Sequence, residues 1–437
     1  MAKKIFFDGL NLALKQGTGV ATYTRVLAKL TRELGYETGI LYSRSRKLPR
    51  KQLTAEVVFF DEEAPLGLPS LVSRPLWILD HLAGLPGTRV KAVPRAGAVI
   101  TRPLGIRWVA SDHVYAGRNV FGRAATFFAL TSLRYRLSLA AKPDVFHWTY
   151  PLPLRANARA NIYTIHDLVP LRLPYTTLDR KRYYLRAMRK IARRADHIVT
   201  VSEHSKRDIM KYLGVEEARV TNTYEALDIP EIYRTRPLDT VANDLEGIFG
   251  LGLRGYFLFY GALEPKKNIA RLIQAYLAAN IDMPLVVVSG SSWAAEREVN
   301  LLDQIVQEDD KEHKEKLRRK IRRYSYLSFP LLMTLVRGAR AVVFPSLYEG
   351  FGLPVLEAMT LGAPVITSAE SSIPEVAGEA ALMVDPYDTD AICKAIAALA
   401  ADDGLVAELS DKGLVQAKKF SPEIYKTRLG ALYASLT

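Results

Sequence analysis

The sequence is almost without cysteine: Cys393 is the single one among 437 residues. One cysteine cannot close an intramolecular disulfide or supply a multi-cysteine zinc site, so a reducing cytosol is the simplest setting. Long apolar runs are also lacking, and none approaches the ~18 residues of a membrane-spanning helix. The start, Lys3 to Asp8, places an acid after three apolar residues, which is typical of a first β-strand rather than of a secretion signal. These absences predict a cytoplasmic chain.

Internal repeats and low-complexity tracts are absent as well. Hydrophobic residues make up 49% and charged residues 24% of the chain, which is the composition of a globular protein. Because a single core stops growing beyond roughly 250 to 300 residues, we expect two domains.

Acidic residues are scarce in the first half of the chain. Residues 1–235 carry 38 Lys and Arg against 20 Asp and Glu, whereas residues 236–437 carry 22 against 26. The net charge of +14 therefore resides in the first half. A basic half favours an anionic partner such as a membrane surface, a lipid-phosphate acceptor or nucleic acid, and solvated faces are the alternative.

Short β-branched and aromatic runs alternate with helix-like segments along both halves. This alternation predicts an α/β fold of two Rossmann-like domains, each with a parallel sheet covered by helices. The predicted strands are Lys4 to Asp8, Asp144 to His147, Ile162 to His166, His197 to Ser202, Tyr256 to Tyr260, Leu285 to Ser289, Ala341 to Pro345, Pro364 to Thr367 and Ala381 to Val384. Prolines interrupt the pattern near 229–244, so we place the domains at 1–235 and 236–420.

Two segments of the first half are rich in arginine and apolar residues. The segment Phe121 to Leu139 and the predicted helix Asp179 to Arg194 each fit two interpretations. One is an interfacial amphipathic element, and the other is a core-facing helix with basic outer residues. A third charged run, Asp309 to Arg323, is predicted to be a solvated helix.

The densest chemical signal is residues 344–359, Phe-Pro-Ser-Leu-Tyr-Glu-Gly-Phe-Gly-Leu-Pro-Val-Leu-Glu-Ala-Met. A strand leads into a glycine-bearing loop, and Pro354 suits the first position of a helix. Bare backbone N–H groups and the positive end of the helix dipole would face an anion, as a diphosphate requires. Glu349 in the loop can accept hydrogen bonds from sugar hydroxyls, and Glu357, placed in the first helical turn, can reach a ribose diol.

This segment and the following Gly362-Ala-Pro-Val-Ile366 resemble the retaining glycosyltransferases of family 4, whose hallmark is a Glu, seven residues, Glu signature. The resemblance implies the GT-B fold, in which two Rossmann-like domains face a central cleft. It also implies transfer of a hexosyl group from a nucleotide-diphosphate sugar to a saccharide or lipid-linked acceptor, with no metal ion and no other cofactor. The donor-binding residues that it implies in this segment are Glu349, Gly350, Phe351, Gly352, Leu353 and Glu357.

A second match to the family is Tyr260-Gly-Ala-Leu-Glu-Pro-Lys-Lys-Asn-Ile269. In the family, the lysine at the position of Lys267 neutralises the donor diphosphate as charge develops on the leaving group, which makes Lys267 both donor-binding and catalytic. Lys266 is a further donor-binding candidate, with a solvated lysine as the alternative. Many relatives carry an arginine where this chain has Ala262, so part of the usual phosphate clamp is missing or supplied elsewhere.

A third match runs from Asn161 to Pro170. In the family, a histidine at the position of His166 lies in the cleft near the transferred sugar, so His166 is a catalytic candidate and the adjoining Asp167 an acceptor-side one. His147 either lines the acceptor side or is a packed histidine. Where relatives have a Pro-Asn-Gly turn, this chain reads Thr-Asn-Thr-Tyr-Glu-Ala over 221–226, so no family contact can be carried over there.

The fourth match is Gln16-Gly-Thr-Gly-Val20, a glycine loop that opens the first helix. Relatives place this loop against the donor phosphate, and Gly19 is the expected contact because a missing side chain permits close backbone approach. The loop lacks the third glycine of the dinucleotide-binding fingerprint, which argues against an oxidoreductase. The last segment, 421–437, resembles the family's closing helix, which packs back on the first domain.

Three other points bear on function. Asp388-Thr-Asp390 has the form of a metal-binding D-x-D, but its place at a helix start favours capping. A GT-B epimerase or phosphorylase remains the alternative activity, whereas a nucleic-acid binder would account for the charge but not for the signature. The form of the second match resembles bacterial mannosyl- and rhamnosyltransferases of surface polysaccharide or lipopolysaccharide assembly. This favours GDP-mannose as donor and a peripheral location on the inner face of the cytoplasmic membrane.

Overall fold

The computed structural model describes residues 2–13, 19–45, 48–49, 51–61, 87–94, 97, 99, 109–290, 320–325 and 327–437. The first residues of the glycine loop, 16–18, and most of the run 309–323 that was predicted to be a solvated helix lie outside the described residues. None of the described helices combines the length and the apolar character needed to cross a bilayer.

The strands of the first half form two sheets. They are β1 (Lys4–Asp8), β2 (Glu37–Arg44), β3 (Gly87–Arg89), β4 (Lys91–Ala92), β5 (His113–Arg118), β6 (Tyr135–Ser138), β7 (Val145–Trp148), β8 (Leu154–Ala156), β9 (Ala160–Thr164), β10 (His197–Thr200) and β11 (Val220–Asn222). The main sheet has the order β11-β10-β9-β7-β1-β2-β5-β4, and its pairs are parallel except β4 with β5. Apart from the half-buried Lys4, strands β1, β7 and β9 are buried, because helices cover both faces of a parallel sheet.

Helices of the first half pack on this sheet through apolar stripes. They are Gly19–Glu33, Gln52–Phe60, Val120–Thr131, Val169–Arg172, Lys181–Arg194 and Glu203–Leu213. In the first of them Tyr23, Val26, Leu27 and Leu30 are buried, at the spacing of one helical face. Helix Glu203–Leu213 begins where the Ser202 hydroxyl accepts a hydrogen bond from the Ser205 amide, and it ends at Gly214 in the left-handed conformation.

A smaller sheet, β3-β6-β8, packs Tyr135, Leu137 and Leu154 into one core with residues of the main sheet. It corrects the prediction that Phe121 to Leu139 is one amphipathic element. The helix in that stretch ends at Thr131, Ser132 adopts a left-handed conformation, and the chain continues as strand β6. A helix cannot continue through a left-handed residue, so the stretch divides there.

The second half is built on a single sheet. Its strands are β12 (Phe257–Tyr260), β13 (Leu285–Val288), β14 (Ile321–Tyr324), β15 (Ala341–Phe344), β16 (Val365–Ser368) and β17 (Leu382–Val384), in the order β14-β13-β12-β15-β16-β17 with all pairs parallel. Its helices are Glu231–Arg234, Leu238–Asp244, Ile269–Ala279, Phe329–Gly338, Leu353–Thr360, Ile373–Ala377, Thr389–Ala401 and Asp403–Ala417. The predicted α/β class with parallel sheets in two domains is confirmed.

Each large sheet has one point at which the strand order reverses. In the first sheet this point lies between β1 and β7, and in the second between β12 and β15. In open parallel sheets, ligands bind beyond the carboxyl ends of the strands at such points. The residues that follow these four strands are therefore where a site is expected.

The last helix, Pro422–Leu436, lies against the first half. Its Tyr433 hydroxyl is 2.8 Å from His147 Nδ1, and Lys426 pairs with Glu33 on the first helix at 3.2 Å. The helix also buries Tyr425 and Leu429. The chain thus returns to its first domain after completing the second.

Candidate active site

The loop after β15 and the short turn after β12 lie side by side in the second half. The turn, Pro265–Lys267, is a single 3-10 turn, and the Leu347 amide donates to the Lys266 carbonyl over 2.7 Å. The Ser346 hydroxyl lies 3.0 Å from the same carbonyl. These contacts bring the second and the first sequence matches together at one edge of the sheet.

Glu349 and Lys267 form a close ion pair at this edge. Lys267 Nζ lies 2.6 Å from Glu349 Oε1, and the Ser346 hydroxyl lies 2.5 Å from the same oxygen. Glu349 is buried, and burial alone would raise the pKa of its carboxyl. The charges of Lys267 and Lys266, with the hydrogen bonds from Lys267 and Ser346, more than offset that effect and hold the pKa of Glu349 below its ordinary value. Glu349 is therefore an ionised acceptor at neutral pH.

Lys266 is not a solvated lysine. Its side chain is 16% exposed, and Nζ lies 3.7 Å from Glu264 and 4.0 Å from Glu349. Burial lowers the pKa of Lys266, but the charges of Glu349, Asp167 and Glu264 raise it above the ordinary lysine value. Since Asp167 belongs to the first half, this lysine acts electrostatically across the cleft. It supplies a second cation beside Glu349, in addition to Lys267.

Two helix amino termini face each other across the cleft. Gly352, at φ 110°, precedes helix Leu353–Thr360, and Gly19 begins the first helix of the other half. A methyl group placed on Gly19 would lie 3.5 Å from Leu353 Cδ1. Both helix dipoles thus point their positive ends into one space, as expected for a site that binds an anion. Pro354 is the second residue of its helix rather than the predicted first.

Gly350 lies where the backbones of the two halves come close together. A Cβ at this position would lie 2.6 Å from the His166 carbonyl oxygen, so a larger residue would force the two halves apart. The neighbouring Phe351 does not turn its ring toward the helix ends. That ring packs against Tyr224 and Phe420, with centroid distances of 6.4 and 5.5 Å. Only the backbone of Phe351 is therefore available to contact a sugar donor.

Glu357 is the fifth residue of its helix, so it lies in the second turn and not in the predicted first. Its Oε2 accepts a hydrogen bond of 2.9 Å from the Tyr260 hydroxyl, at the end of β12. Burial raises the pKa of Glu357 to about 7, and the Tyr260 hydrogen bond lowers it only in part. Its carboxyl therefore changes charge near neutral pH.

His166 uses both ring nitrogens within the protein. Nδ1 lies 3.1 Å from Glu225 Oε1, and Nε2 lies 3.0 Å from the Thr149 carbonyl oxygen. Burial lowers the pKa of His166, but the Glu225 carboxylate and the Thr149 carbonyl raise it overall. Because both partners are acceptors, they favour the protonated ring, in which both nitrogens donate. A ring in this state has no free nitrogen with which to remove a proton.

A buried acid that the sequence analysis did not single out supports this histidine. Asp8, at the end of β1, accepts hydrogen bonds from the Thr149 amide at 2.5 Å and the Thr149 hydroxyl at 3.0 Å. Complete burial raises the pKa of Asp8 to about 6, although the hydrogen bonds from Thr149 lower it in part. Asp8 and Glu225 thereby hold His166 from two sides. Two features of the sequence could have pointed to them. Asp8 is an acid at the end of a strand, and Glu225 lies in residues 221–226, which replace the family turn.

His147 does not line the acceptor side. Its ring is fully buried, with Nδ1 2.8 Å from the Tyr433 hydroxyl and Nε2 2.8 Å from the Thr164 hydroxyl. Burial lowers the pKa of His147 to about 3, so the ring is neutral. It is a packed histidine that joins the last helix to the main sheet, and the acceptor-side prediction is corrected.

Asp167 and Asp388 both accept hydrogen bonds from backbone amides near helix starts. Asp167 Oδ1 accepts from the Val169 amide at 3.0 Å, at the start of a short helix beside the cleft. Asp388 Oδ1 accepts from the amides of Asp390 and Ala391, so the capping role predicted for it is confirmed. Among the described residues, no group of three or more His, Cys, Asp or Glu could hold a metal ion.

Other contacts join the halves beside the loop of Glu349. Glu375 accepts hydrogen bonds from the amides of Glu203 and His204, at 2.8 and 2.6 Å, and so caps a helix of the opposite half. The Tyr348 hydroxyl donates to Asp208 at 2.5 Å. No sequence signal paired these residues, because the partners lie 140 to 172 residues apart along the chain. They fix the loop of Glu349 against the first half.

Comparisons with known proteins agree with this geometry. Residues 17–229 match the sequence profile of Glycosyltransferase Family 4, and residues 252–415 match that of Glycosyl transferases group 1. O-antigen chain mannosyltransferase B of Escherichia coli is 35% identical over 267 residues, which are 60% of this chain and 67% of the relative. The serotype-specific mannosyltransferase WbdA of Escherichia coli is 28% identical over 74% of this chain, but the match spans only 37% of that enzyme. The structure of Anabaena HepE in complex with UDP and glucose has a TM-score of 0.65 at 16% identity, covering 99% of this chain and 100% of HepE.

Proposed function

Because the chain belongs to glycosyltransferase family 4 and is a GT-B glycosyltransferase, we propose that it moves a mannosyl group, with retention, from GDP-mannose to a saccharide or lipid-linked saccharide acceptor of a surface polysaccharide or lipopolysaccharide. The observation that carries the proposal is the Lys267–Glu349 pair beside two opposed helix amino termini. The mannose part rests on the relatives named as O-antigen and serotype-specific mannosyltransferases.

The donor diphosphate is proposed to lie between Gly19 and the Gly352–Leu353 helix start. The two helix ends supply backbone N–H groups, and Lys267 supplies the fixed charge that stabilises the leaving diphosphate. Glu349, which stays ionised, accepts hydrogen bonds from hydroxyls of the transferred sugar. Glu357 accepts hydrogen bonds from the ribose diol when it is ionised. The two helix ends and Lys267 neutralise the diphosphate, and the proposal assigns no metal to it.

Retention requires the acceptor hydroxyl to arrive on the face that the nucleotide leaves. In the proposed reaction the bond from the sugar to the diphosphate breaks through an oxocarbenium-like state, and the departing diphosphate takes the acceptor proton. The doubly paired state of His166 supports this route, because both ring nitrogens are engaged within the protein and neither is free to take the acceptor proton. His166 then acts as a positioning group whose charge is balanced by Glu225.

A transfer assay in EDTA tests this proposal. GDP-mannose, UDP-glucose and a simple alkyl α-mannoside acceptor are incubated with wild type and Glu349→Gln, and the product anomer is read by NMR. We expect α-linked product from GDP-mannose and ~10²-fold slower transfer by the variant. Product from UDP-glucose alone would overturn the choice of donor. Turnover of the donor that needs no acceptor, or that needs free phosphate, would instead indicate an epimerase or a phosphorylase.

The basic first domain is proposed to dock on the anionic inner face of a membrane. Helix Lys181–Arg194 exposes Arg182, Arg189 and Arg193. The loop before it exposes Tyr175 (72%) and Leu178 (65%). Arginines flanking exposed apolar side chains are typical of interfacial binding.

Vesicle sedimentation is expected to detect this docking. At low salt the protein should sediment with vesicles that contain phosphatidylglycerol and be released by 0.5 M NaCl. Each surface arginine contributes ~1 kcal/mol, so Arg182→Gln/Arg189→Gln should weaken binding about 30-fold. Equal sedimentation with pure phosphatidylcholine vesicles, or no effect of the substitutions, would contradict the docking proposal.

A further inference from the structure

The small sheet β3-β6-β8 has two faces of opposite character. Its inner face packs Tyr135, Leu137 and Leu154 into the core of the first half. Its outer face carries Arg89, Arg136 and Arg155, which are exposed and alternate with the buried residues. The alternation explains why the side chains point outward, but it does not explain why three of them are arginines.

The strand register brings the arginines together. Arg136 pairs directly with Arg155 of β8 on one side and with Gly87 of β3 on the other. Neighbouring strands lie about 4.8 Å apart, so the stems of Arg136 and Arg155 begin side by side. Like charges placed opposite each other destabilise a sheet, so this arrangement calls for a compensating anion.

These arginines line a cavity of about 590 Å³. The other polar residues of its wall include Thr88, Ser138 and Asn157, and none of the residues that line it is acidic. Gly87 lets β3 lie close to β6, because a Cβ there would lie 2.7 Å from the Arg136 carbonyl oxygen. The sheet therefore presents a concave, positively charged surface with additional hydrogen-bonding groups.

Two other arginines near this sheet donate hydrogen bonds to partners within the protein. Arg134 donates to the Tyr163 hydroxyl at 3.1 Å, and Arg159 donates to the Thr437 carbonyl at 2.9 Å. Within the part of the chain that the structure describes, Arg89, Arg136 and Arg155 have no such hydrogen bond and no ion pair. Their guanidinium groups are available to a ligand.

We propose that this cavity is a phosphate-binding site, separate from the donor site of the cleft. Arginine offers a planar fork of N–H donors that matches two oxygens of a phosphate, and Arg136 and Arg155 can bind one phosphate from two sides. Arg89 and the hydroxyl of Ser138, which pairs with Arg89 in the register, complete the polar surround. The ligand is a phosphomonoester or phosphodiester, either free or carried by a lipid headgroup. The proposal does not depend on which sugar the cleft transfers.

Thermal unfolding tests the site with inorganic phosphate as the probe. Wild type, Arg136→Gln/Arg155→Gln and the control Lys418→Gln/Lys419→Gln are compared in sodium phosphate and in sodium chloride of equal ionic strength. The side chains at all four positions are exposed, so both variants are expected to fold. At ten times Kd, phosphate should raise Tm by about 3 °C in wild type and in the control. The Arg136/Arg155 variant should lose that rise, and in low-salt chloride it should be no less stable than wild type because a like-charge contact is removed.

A second arm identifies the source of the phosphate. The same proteins are sedimented with vesicles of phosphatidic acid in phosphatidylcholine. A phosphate-dependent rise in Tm that only the Arg136/Arg155 variant loses supports the site with a free phosphate ligand. Vesicle binding at least 10-fold weaker in that variant than in the control supports it with a lipid headgroup. If the Arg136/Arg155 variant matches the control in both arms, the site does not exist.

Discussion

Replacing Lys267 by methionine is expected to lower kcat by ~10³-fold and the free energy of unfolding by about 3 kcal/mol. The catalytic loss follows from removing the cation proposed to neutralise the leaving diphosphate. The loss of stability follows from the 2.6 Å contact with Glu349, which would be left buried with Lys266 at 4.0 Å as its nearest cation. The measurements are urea unfolding and steady-state transfer.

A second substitution separates these two effects. In Lys267→Met/Glu349→Gln no unpaired carboxylate is buried, so most of the lost stability should return while transfer stays impaired. The folded-state pKa of Glu349 is depressed, so its contribution to stability is present above the unfolded pKa and is lost as pH falls. The difference in stability between wild type and Lys267→Met should therefore shrink below about pH 4.5. A Lys267→Met protein with unchanged stability at pH 7 would show that the ion pair is not formed.

Glu357→Gln is expected to stabilise the free enzyme above pH 7 while weakening nucleotide binding. The folded-state pKa of Glu357, about 7, lies above the ordinary value of 4.5, because the carboxyl is buried beside Tyr260. A raised carboxyl pKa contributes stability that is complete below the unfolded pKa and is lost as pH rises through the folded pKa. At pH 8 the ionised carboxylate therefore lowers the free energy of unfolding by up to about 3 kcal/mol, and a glutamine at this position would not cause that loss.

The same titration should appear in donor affinity. The ribose diol needs an ionised acceptor, so nucleotide binding by wild type should weaken as pH falls from 8 to 6. Glu357→Gln should bind weakly at both values, with no pH dependence in this range. Unfolding and nucleotide titration at pH 6 and pH 8 measure both effects. A variant that is less stable than wild type at pH 8 would contradict the buried, destabilised carboxylate.

The part of the site that sequence predicts best is the part set by sheet topology. Lys267 follows β12 and Glu349 follows β15, and adjacent parallel strands end at one edge, so their meeting could be expected from two motifs far apart in sequence. The orientation of a single side chain could not be predicted in this way. His147 belongs to a strand buried on both faces, and its partner Tyr433 lies on the last helix, so no local pattern distinguishes a packed ring from a cleft residue.

Long-range polar partners explain the other differences. Glu225 lies in the segment that departs from the family turn, and its role depends on His166, 59 residues away. The ring of Phe351 packs against Tyr224 and Phe420 because the last helix brings Phe420 back to the loop. Such contacts arise from the assembly of the two halves, and neither periodicity nor spacing along the chain encodes them.

The central claim, that a nucleoside diphosphate binds between the two helix amino termini without a metal, is tested most directly by calorimetric titration of GDP in EDTA. Gly19→Ala is the informative variant, because among the described residues its methyl group would meet only Leu353, at 3.5 Å, and so spares the fold while narrowing the gap. Gly430→Ala is the matched control, a helical glycine whose methyl would meet Leu34 at 3.6 Å. We predict that Gly430→Ala binds GDP like wild type and that Gly19→Ala binds it at least ~10-fold more weakly without loss of Tm. Equal affinity in all three proteins would contradict the account.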